Sequence, residues 1–378
     1  MKRTIKSVLM VNKEYSPHIG GIETIVRQLA EEWTKKGIHT TVLCTGNIFS
    51  EETINGVSVI RTPVNLRIGS ARISLSYLKK FTELAENADV IHFHYPNPIG
   101  EAALLLSRIK PCTKRQILCS YHSDALRPSW LVPLYNNMTK HFLEKCDTIV
   151  YASPEYLQSS ANLAGQMSKT ALIPYGVSRE KFGYPLKKEK IFAESLVSSL
   201  PRPRILFTGR LTYYKGLRYL LDAVALLPQC SLVIVGEGVE RSAVEKHSES
   251  LKLTSRVTIL DPLEESLYPA IFTTADVFVL PSIFRTEAFG IVGIEAMMAG
   301  LPIVTTDLGT GTTFYNIDRV TGRVARPSDP QHLAECIQWI LEKEEQRQEL
   351  GENAKRRAEK FFCAEKMLES YWRAYMSL

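Results

Sequence analysis

Short β-branched runs alternate with amphipathic helical stretches along the whole 378-residue chain. That alternation confines it to parallel sheets covered by helices on both faces. The first run is SVLMV at 7–11, and the segment 22–36 that follows puts Ile22, Val26, Leu29, Ala30 and Trp33 on one helical face. Further strands are expected at 40–44, 57–61, 89–93, 115–121, 147–152 and 170–174. The pattern breaks in the polar, proline-bearing stretch 176–203, which reads as a linker. It restarts with strands at 204–209, 231–236, 256–260, 277–281 and 302–306. Two doubly wound α/β domains in tandem are the simplest account, with bounds of 1–180 and 200–361. The chain length agrees, at roughly 150 residues per domain. The tail 331–378 reads as helical, and its aromatic part 362–378 is too apolar to stay undocked, so it is expected to pack back on the first domain. Sheets of this kind bind ligands beyond the carboxyl ends of their strands, so the chemistry belongs in the loops after each strand.

Composition removes several classes. The seven cysteines form no CxxC pair, which argues against a disulfide framework or zinc knuckle and for a reducing cytoplasm. The first apolar stretch ends at Lys13 and Glu14, too short for a signal peptide. No uninterrupted apolar run approaches the ~20 residues of a membrane span, so a cytoplasmic protein is expected. The net charge of +6 is uneven, with 25 Lys and Arg against 16 Asp and Glu in residues 1–190. A basic first half suits nucleic acid, an anionic membrane surface or a phosphorylated substrate, or is a solvated face.

Three loops carry the chemistry. Tyr15 to Glu23 follows the first strand, and its Gly20-Gly21 pair lets a phosphate or sugar approach a helix amino terminus, or makes a tight turn without a ligand. It holds no GxGxxG, which counts against a dinucleotide dehydrogenase. Gly209 to Gly216 places Arg210 and Lys215 after the first strand of the second domain, as a diphosphate clamp or a solvated basic loop. Glu287 to Glu295 brackets a glycine-containing helix start, and a continuous helix separates its two carboxylates by about 12 Å along the axis. One glutamate can meet a sugar and the other a ribose, or the two are a helix-capping and a solvated residue.

In this order, and together with HSD at 122–124 and EAMMAG at 295–300, these loops resemble the family 4 retaining glycosyltransferases of the GT-B fold over essentially the whole chain. The resemblance implies two facing Rossmann-like domains with a central cleft. It places Gly20 and Gly21 near the donor phosphates and acceptor, and Arg210 and Lys215, in the loop that opens at Gly209, on the diphosphate. Glu287 falls on the transferred sugar, Glu295 on the ribose, the amides of Phe289, Gly290 and Ile291 on sugar and phosphate, and His122 near the anomeric centre. His18 and Asp124 are acceptor-side candidates.

The Arg285-Thr286 approach to Glu287 is similar to bacterial surface-polysaccharide transferases. The reading is therefore a hexosyltransferase moving mannose from GDP-mannose to a glycan or polyprenyl-linked acceptor, with no nucleic-acid partner. A UDP-hexose transferase on a soluble acceptor and a non-enzymatic sugar-binding protein are the alternatives. His92 and His94 share one face of a strand and can hold a metal or serve the structure. No Asp-x-Asp clamp occurs, and neither metal nor other cofactor is expected. Arg61, Arg67, Arg72, Lys79 and Lys80 flank or join the apolar-bearing stretch 68–84, and Arg108, Lys110, Lys114 and Arg115 follow in the same basic domain, which suggests a peripheral site on the inner face of the membrane.

Overall fold

The computed structural model describes residues 4–18, 20–68, 71–107, 109, 115–124 and 132–377. The chain divides into two units, Met1–Ile173 with Leu368–Leu378, and Pro174–Met367. The first unit contains β1 (Ser7–Val11), β2 (His39–Gly46), β3 (Ser50–Ile54), β4 (Val57–Pro63), β5 (Leu66–Ile68) and β6 (Ala71–Ile73). It continues with β7 (Val90–Tyr95), β8 (Gln116–Tyr121), β9 (Thr148–Tyr151) and β10 (Thr170–Leu172). Among the described residues its main sheet runs β10-β9-β8-β7-β1-β2-β4-β3, parallel except where β3 closes the edge antiparallel to β4. β5 and β6 form a separate hairpin.

The second unit contains β11 (Arg204–Thr208), β12 (Ser231–Val235), β13 (Val257–Leu260), β14 (Val277–Leu280), β15 (Ile303–Thr306) and β16 (Gly322–Ala325). Their order is β13-β12-β11-β14-β15-β16, with every pair parallel. The central strands β7, β11, β12 and β14 are buried along their whole length, as a sheet covered on both faces requires.

The strand order reverses direction between β1 and β7 in the first unit and between β11 and β14 in the second. Each reversal opens a crevice where the loops after those strands diverge. The loops after β1, β7, β11 and β14 are therefore where each unit presents its chemistry.

The first long helix is Gly21–Lys35, and it buries Ile25, Val26, Leu29, Ala30 and Trp33. Ile25 takes the place expected for Ile22, which is only half-buried in the first turn. The stretch 176–203 is no linker. It folds into helices Arg179–Gly183 and Lys187–Val197 within the second unit, and Val177 bridges to Cys363. Val177, Phe182, Ala193, Val197 and Leu200 are its buried anchors, hidden in the sequence among lysines and glutamates.

The tail forms three helices, Pro330–Leu341, Glu344–Phe361 and Ala364–Tyr375. From Leu368 onward it belongs to the first unit. There Trp372 and Tyr375 each lie 5.4 Å from the Trp33 ring, and Gln116 donates to the Ala374 carbonyl at 2.7 Å. The tight aromatic packing is the physical content of the expectation that this segment must dock.

Candidate active site

In the second unit β11 leaves the sheet through Gly209, at φ +140°, and the chain makes a short turn at Tyr213–Lys215 before Gly216. Gly216 is left-handed at φ +70° and heads the helix Leu217–Ala225. A Cβ there would lie 2.1 Å from the Pro281 carbonyl oxygen, so only glycine lets this turn sit against the loop after β14. Lys215 is thereby driven inward, and its Nζ lies 2.6 Å from Oε2 of Glu287, with the two side chains only 8% and 9% exposed.

Ser282 donates to the same Oε2 at 2.8 Å, and Thr310 donates to the Glu287 carbonyl at 2.9 Å. Thr306 donates to the Ser282 carbonyl. The threonines at 306 and 310 thus pin the Glu287 loop from the segment after β15. Among the described residues Oε1 of Glu287 has no hydrogen-bond partner, and it is not sealed from solvent. Lys215 keeps two of its three ammonium donors. Arg210 is exposed and has no ion pair among the described residues.

Glu287 and Glu295 are not on one helix. The helix is Ile291–Met298, and Gly290, left-handed at φ +74°, starts it. Glu287 therefore lies in the loop ahead of a helix amino terminus whose first amides, around Gly290 and Ile291, have no intrahelical acceptor. That is a ready anion site. The Phe289 ring is not part of it: it is buried and meets Tyr175 edge-on at 4.9 Å.

Glu295 accepts from the Tyr268 hydroxyl at 2.8 Å, and Tyr268 in turn meets the Thr208 hydroxyl at 3.0 Å. Burial pushes the Glu295 carboxyl up to about 7, against the opposing pull of Tyr268 and Lys181. Tyr268 has no motif signal, since it reaches Glu295 through the fold, whereas Ser282 lies five residues ahead of Glu287 in the same loop.

In the first unit Gly20 and Gly21 open the helix after β1, as expected. A Cβ on Gly20 would lie 2.1 Å from Oε2 of Glu23, so the chain's own carboxylate leans over that loop. His18 is half exposed and pairs with Glu14 at 2.8 Å, while Glu14 also holds Arg72.

His122 follows β8 and is 5% exposed. Its Nε2 lies 2.9 Å from Nδ1 of His94, and burial lowers its basicity to about 3. Asp124 accepts from Tyr121 and Ser160, both at 2.7 Å, which ties it into the loop. His92 and His94 do share a face, with ring centres 4.2 Å apart. His92 bonds Tyr375 and Ser120 at 2.7 and 2.8 Å. Among the described residues no group of three or more His, Cys, Asp or Glu side chains is arranged for a metal ion.

Sequence reasoning missed Glu101, in the first turn of the helix Pro98–Leu106 after β7. It is 1% exposed and accepts from the Asn97 amide at 2.8 Å and from Tyr135 at 2.6 Å. Among the described residues its Oε2 has no partner, and burial raises its carboxyl to about 7. Its place at the crevice of the first sheet was the available signal.

Residues 19–181 match the description Glycosyltransferase Family 4, and residues 188–357 match Glycosyl transferases group 1. The chain is 32% identical over 378 residues to O-antigen chain mannosyltransferase C of Escherichia coli, covering 98% of both. It is 34% identical over 360 residues to the D-rhamnosyltransferase WbpZ of Pseudomonas aeruginosa, covering 94% of this chain and 92% of that one. Sucrose-phosphate synthase of Thermosynechococcus elongatus superposes with a TM-score of 0.82 at 26% identity over 98% of both chains. Anabaena HepE in complex with UDP-glucose superposes at 0.79 and 18% identity over 98% of this chain and 100% of that one, a likeness of fold. With two Rossmann-like sheets, loops at both crevices and relatives matching end to end, the chain belongs to the family 4 glycosyltransferases of the GT-B fold.

Proposed function

We propose that this glycosyltransferase moves a D-manno-configured hexose, mannose from GDP-mannose first, with retention and without a metal, to a glycan or polyprenyl-linked acceptor in O-antigen-type polysaccharide assembly. The observation that carries the reading is the half-committed Glu287. Its Oε2 is fixed by Lys215 and Ser282 while Oε1 stays open. An acceptor-only oxygen held rigidly beside a helix amino terminus suits sugar hydroxyls next to a phosphate. The spare donors of Lys215, the Arg210 fork and the amides at Gly290 and Ile291 then receive the departing diphosphate, the role a metal has elsewhere. The leaving phosphate oxygen takes the proton of the attacking hydroxyl, and no protein nucleophile is used. Glu295 receives the ribose.

The two relatives support the choice of sugar. Mannose and D-rhamnose share their configuration and differ at C6, where rhamnose lacks the hydroxyl. A donor panel of GDP-mannose, GDP-D-rhamnose and UDP-glucose, read by nucleoside diphosphate release in the presence of EDTA, tests this. Release from a GDP donor is expected, and the anomeric carbon–hydrogen coupling of the product should show retention. Turnover only with UDP-glucose, or only with added metal, overturns the donor or metal reading.

Peripheral binding to an anionic membrane is part of the same proposal. Among the described residues no helix is long and apolar enough to cross a membrane. Ile48, Phe49, Leu66 and Leu75 are exposed apolar side chains of the first unit. Arg72 and Lys80 are already paired, with Glu14 and with Glu51 and Glu83, so Arg67 and Lys79 carry most of the attraction. Arg108, Lys110 and Lys114 lie outside the described residues. Flotation with anionic vesicles at low salt should be lost on Arg67→Glu with Lys79→Glu, and absence of flotation by the parent protein removes this part.

A further inference from the structure

The start of the helix Ile291–Met298 is hollowed by glycine, and a phenol fills the space. Tyr315 ends the short helix Gly311–Tyr315 after β15 and is fully buried. Its ring centre lies 5.5 Å from that of Phe289, and Arg357 donates to its carbonyl at 2.9 Å. A Cβ on Gly293 would fall 2.3 Å from the Tyr315 hydroxyl oxygen and 2.6 Å from its Cζ, so any larger residue there expels the ring. The hydroxyl is thereby held against the first turn of the helix, behind the loop that carries Glu287.

Nothing satisfies it there. The Tyr315 hydroxyl is sealed from solvent and has no hydrogen-bond partner among the described residues. Burying an unpaired hydroxyl costs free energy that phenylalanine in the same packing avoids. What the hydroxyl faces is shown at Gly290. A Cβ on that residue would stand 3.2 Å from the Tyr315 hydroxyl oxygen and 3.4 Å from Oε1 of Glu287. The unpaired donor and the unpaired acceptor therefore flank one small space. A Leu280 methyl carbon comes within 2.6 Å of the same point, which leaves no room for a water at that place. Burial and the facing Glu287 charge push the phenol well up from its ordinary range, so it keeps its proton, and toward a carboxylate it can only donate.

We propose that Tyr315 is a positioning residue that donates to Oε1 of Glu287 once the transferred sugar has displaced water from that oxygen. Lys215 and Ser282 hold Oε2, and the carboxylate turns about it. One lone pair of Oε1 then takes the phenol hydrogen and the other receives a sugar hydroxyl. With water excluded both bonds strengthen, so Oε1 is aimed only when a sugar is in place. This rests on the reading that Glu287 meets the transferred sugar.

Tyr315→Phe removes the hydroxyl and nothing else. It is compared with Glu287→Gln and with the double variant, using whichever donor of the panel the parent enzyme turns over. The free Tyr315→Phe protein should melt no lower than the parent and bind nucleoside diphosphate as before, yet kcat/KM for the intact donor should fall on the order of 10- to 100-fold, the worth of a hydrogen bond to a charged group. A role in packing alone does not produce that split. In Glu287→Gln the donors of Lys215 and Ser282 select the amide oxygen for the Oε2 place, so an NH2 faces Tyr315 and cannot accept; adding Tyr315→Phe should then cost little more. Full kcat/KM in Tyr315→Phe overturns the proposal, as does melting clearly below the parent, which would mean that the hydroxyl is already bonded in the free enzyme. Additive losses in the double variant overturn it too, and the single variant decides where the double is too slow to follow. Normal turnover in Glu287→Gln instead refutes the sugar-facing reading of Glu287, and this proposal with it.

Discussion

Lys215 and Glu287 were each expected to serve a different part of the donor, yet the fold seals them together. The perturbation that separates structure from function is to neutralise them singly and jointly, as Lys215→Met, Glu287→Gln and the double variant. Each side chain is under a tenth exposed and the contact is 2.6 Å, so removing one partner strands the other charge in a poorly solvated site. Breaking a buried pair in this way costs about 3–5 kcal/mol, and removing both charges returns most of it. That single loss is a large share of a typical total of about 5–15 kcal/mol. Amide exchange in β11 and β14, the strands that carry the two loops, reads the loss locally. Arg210→Ala is the control, because an exposed residue without a pair should stay within about 0.5 kcal/mol while turnover falls on the order of 100-fold. Saturating nucleoside diphosphate should stabilise Glu287→Gln more than Lys215→Met, since only the former keeps the ammonium for the phosphates. Single variants within about 0.5 kcal/mol of the parent, or strictly additive losses in the double, would show that the pair is not a buried unit.

The other predictions concern Glu295 and Gly216. With its carboxyl raised to about 7 by burial, Glu295 favours the folded state most when protonated below its unfolded value, and that contribution is lost as pH rises through 7. If the ionised Glu295 receives the ribose as proposed, nucleoside affinity should increase between pH 6 and 8, and a flat calorimetric profile, or the same profile in Glu295→Gln, contradicts the assignment. Gly216→Ala puts a Cβ 2.1 Å from the Pro281 carbonyl oxygen in a left-handed turn, so it should lose more than the ~1–2 kcal/mol of the backbone penalty alone together with donor binding; unchanged melting refutes the close approach.

The legible part of this fold is its central strands. Runs such as SLVIV at 231–235 are apolar throughout, and only burial on both faces explains that. The edges were not legible: β3 is SEETI, with one apolar residue at its end, and β5 and β6 have three residues each. The supposed linker fails for a related reason, because five buried anchors spaced among charged residues give no strong periodicity. Of the site, the loops and their glycines could be read, since a strand followed by Gly-Gly or by Gly-Arg has a local meaning. What could not be read is partnership across the chain. Tyr268 on Glu295, Lys215 on Glu287, and His94 on His122 depend on strand order, which no short window of sequence contains.

The closing helix has a consequence for how the molecule is made. Tyr371, Trp372 and Tyr375 complete the core around Trp33 and His92, yet they leave the ribosome only after all of Pro174–Met367. During synthesis the second unit can therefore finish first, while the first waits with an open aromatic slot. Vectorial folding is here reversed in order of completion. A carboxyl-terminal fusion or trimming of the last turn would accordingly be felt in the amino-terminal half, as slower maturation and greater capture by chaperones, and not in the domain to which it is joined.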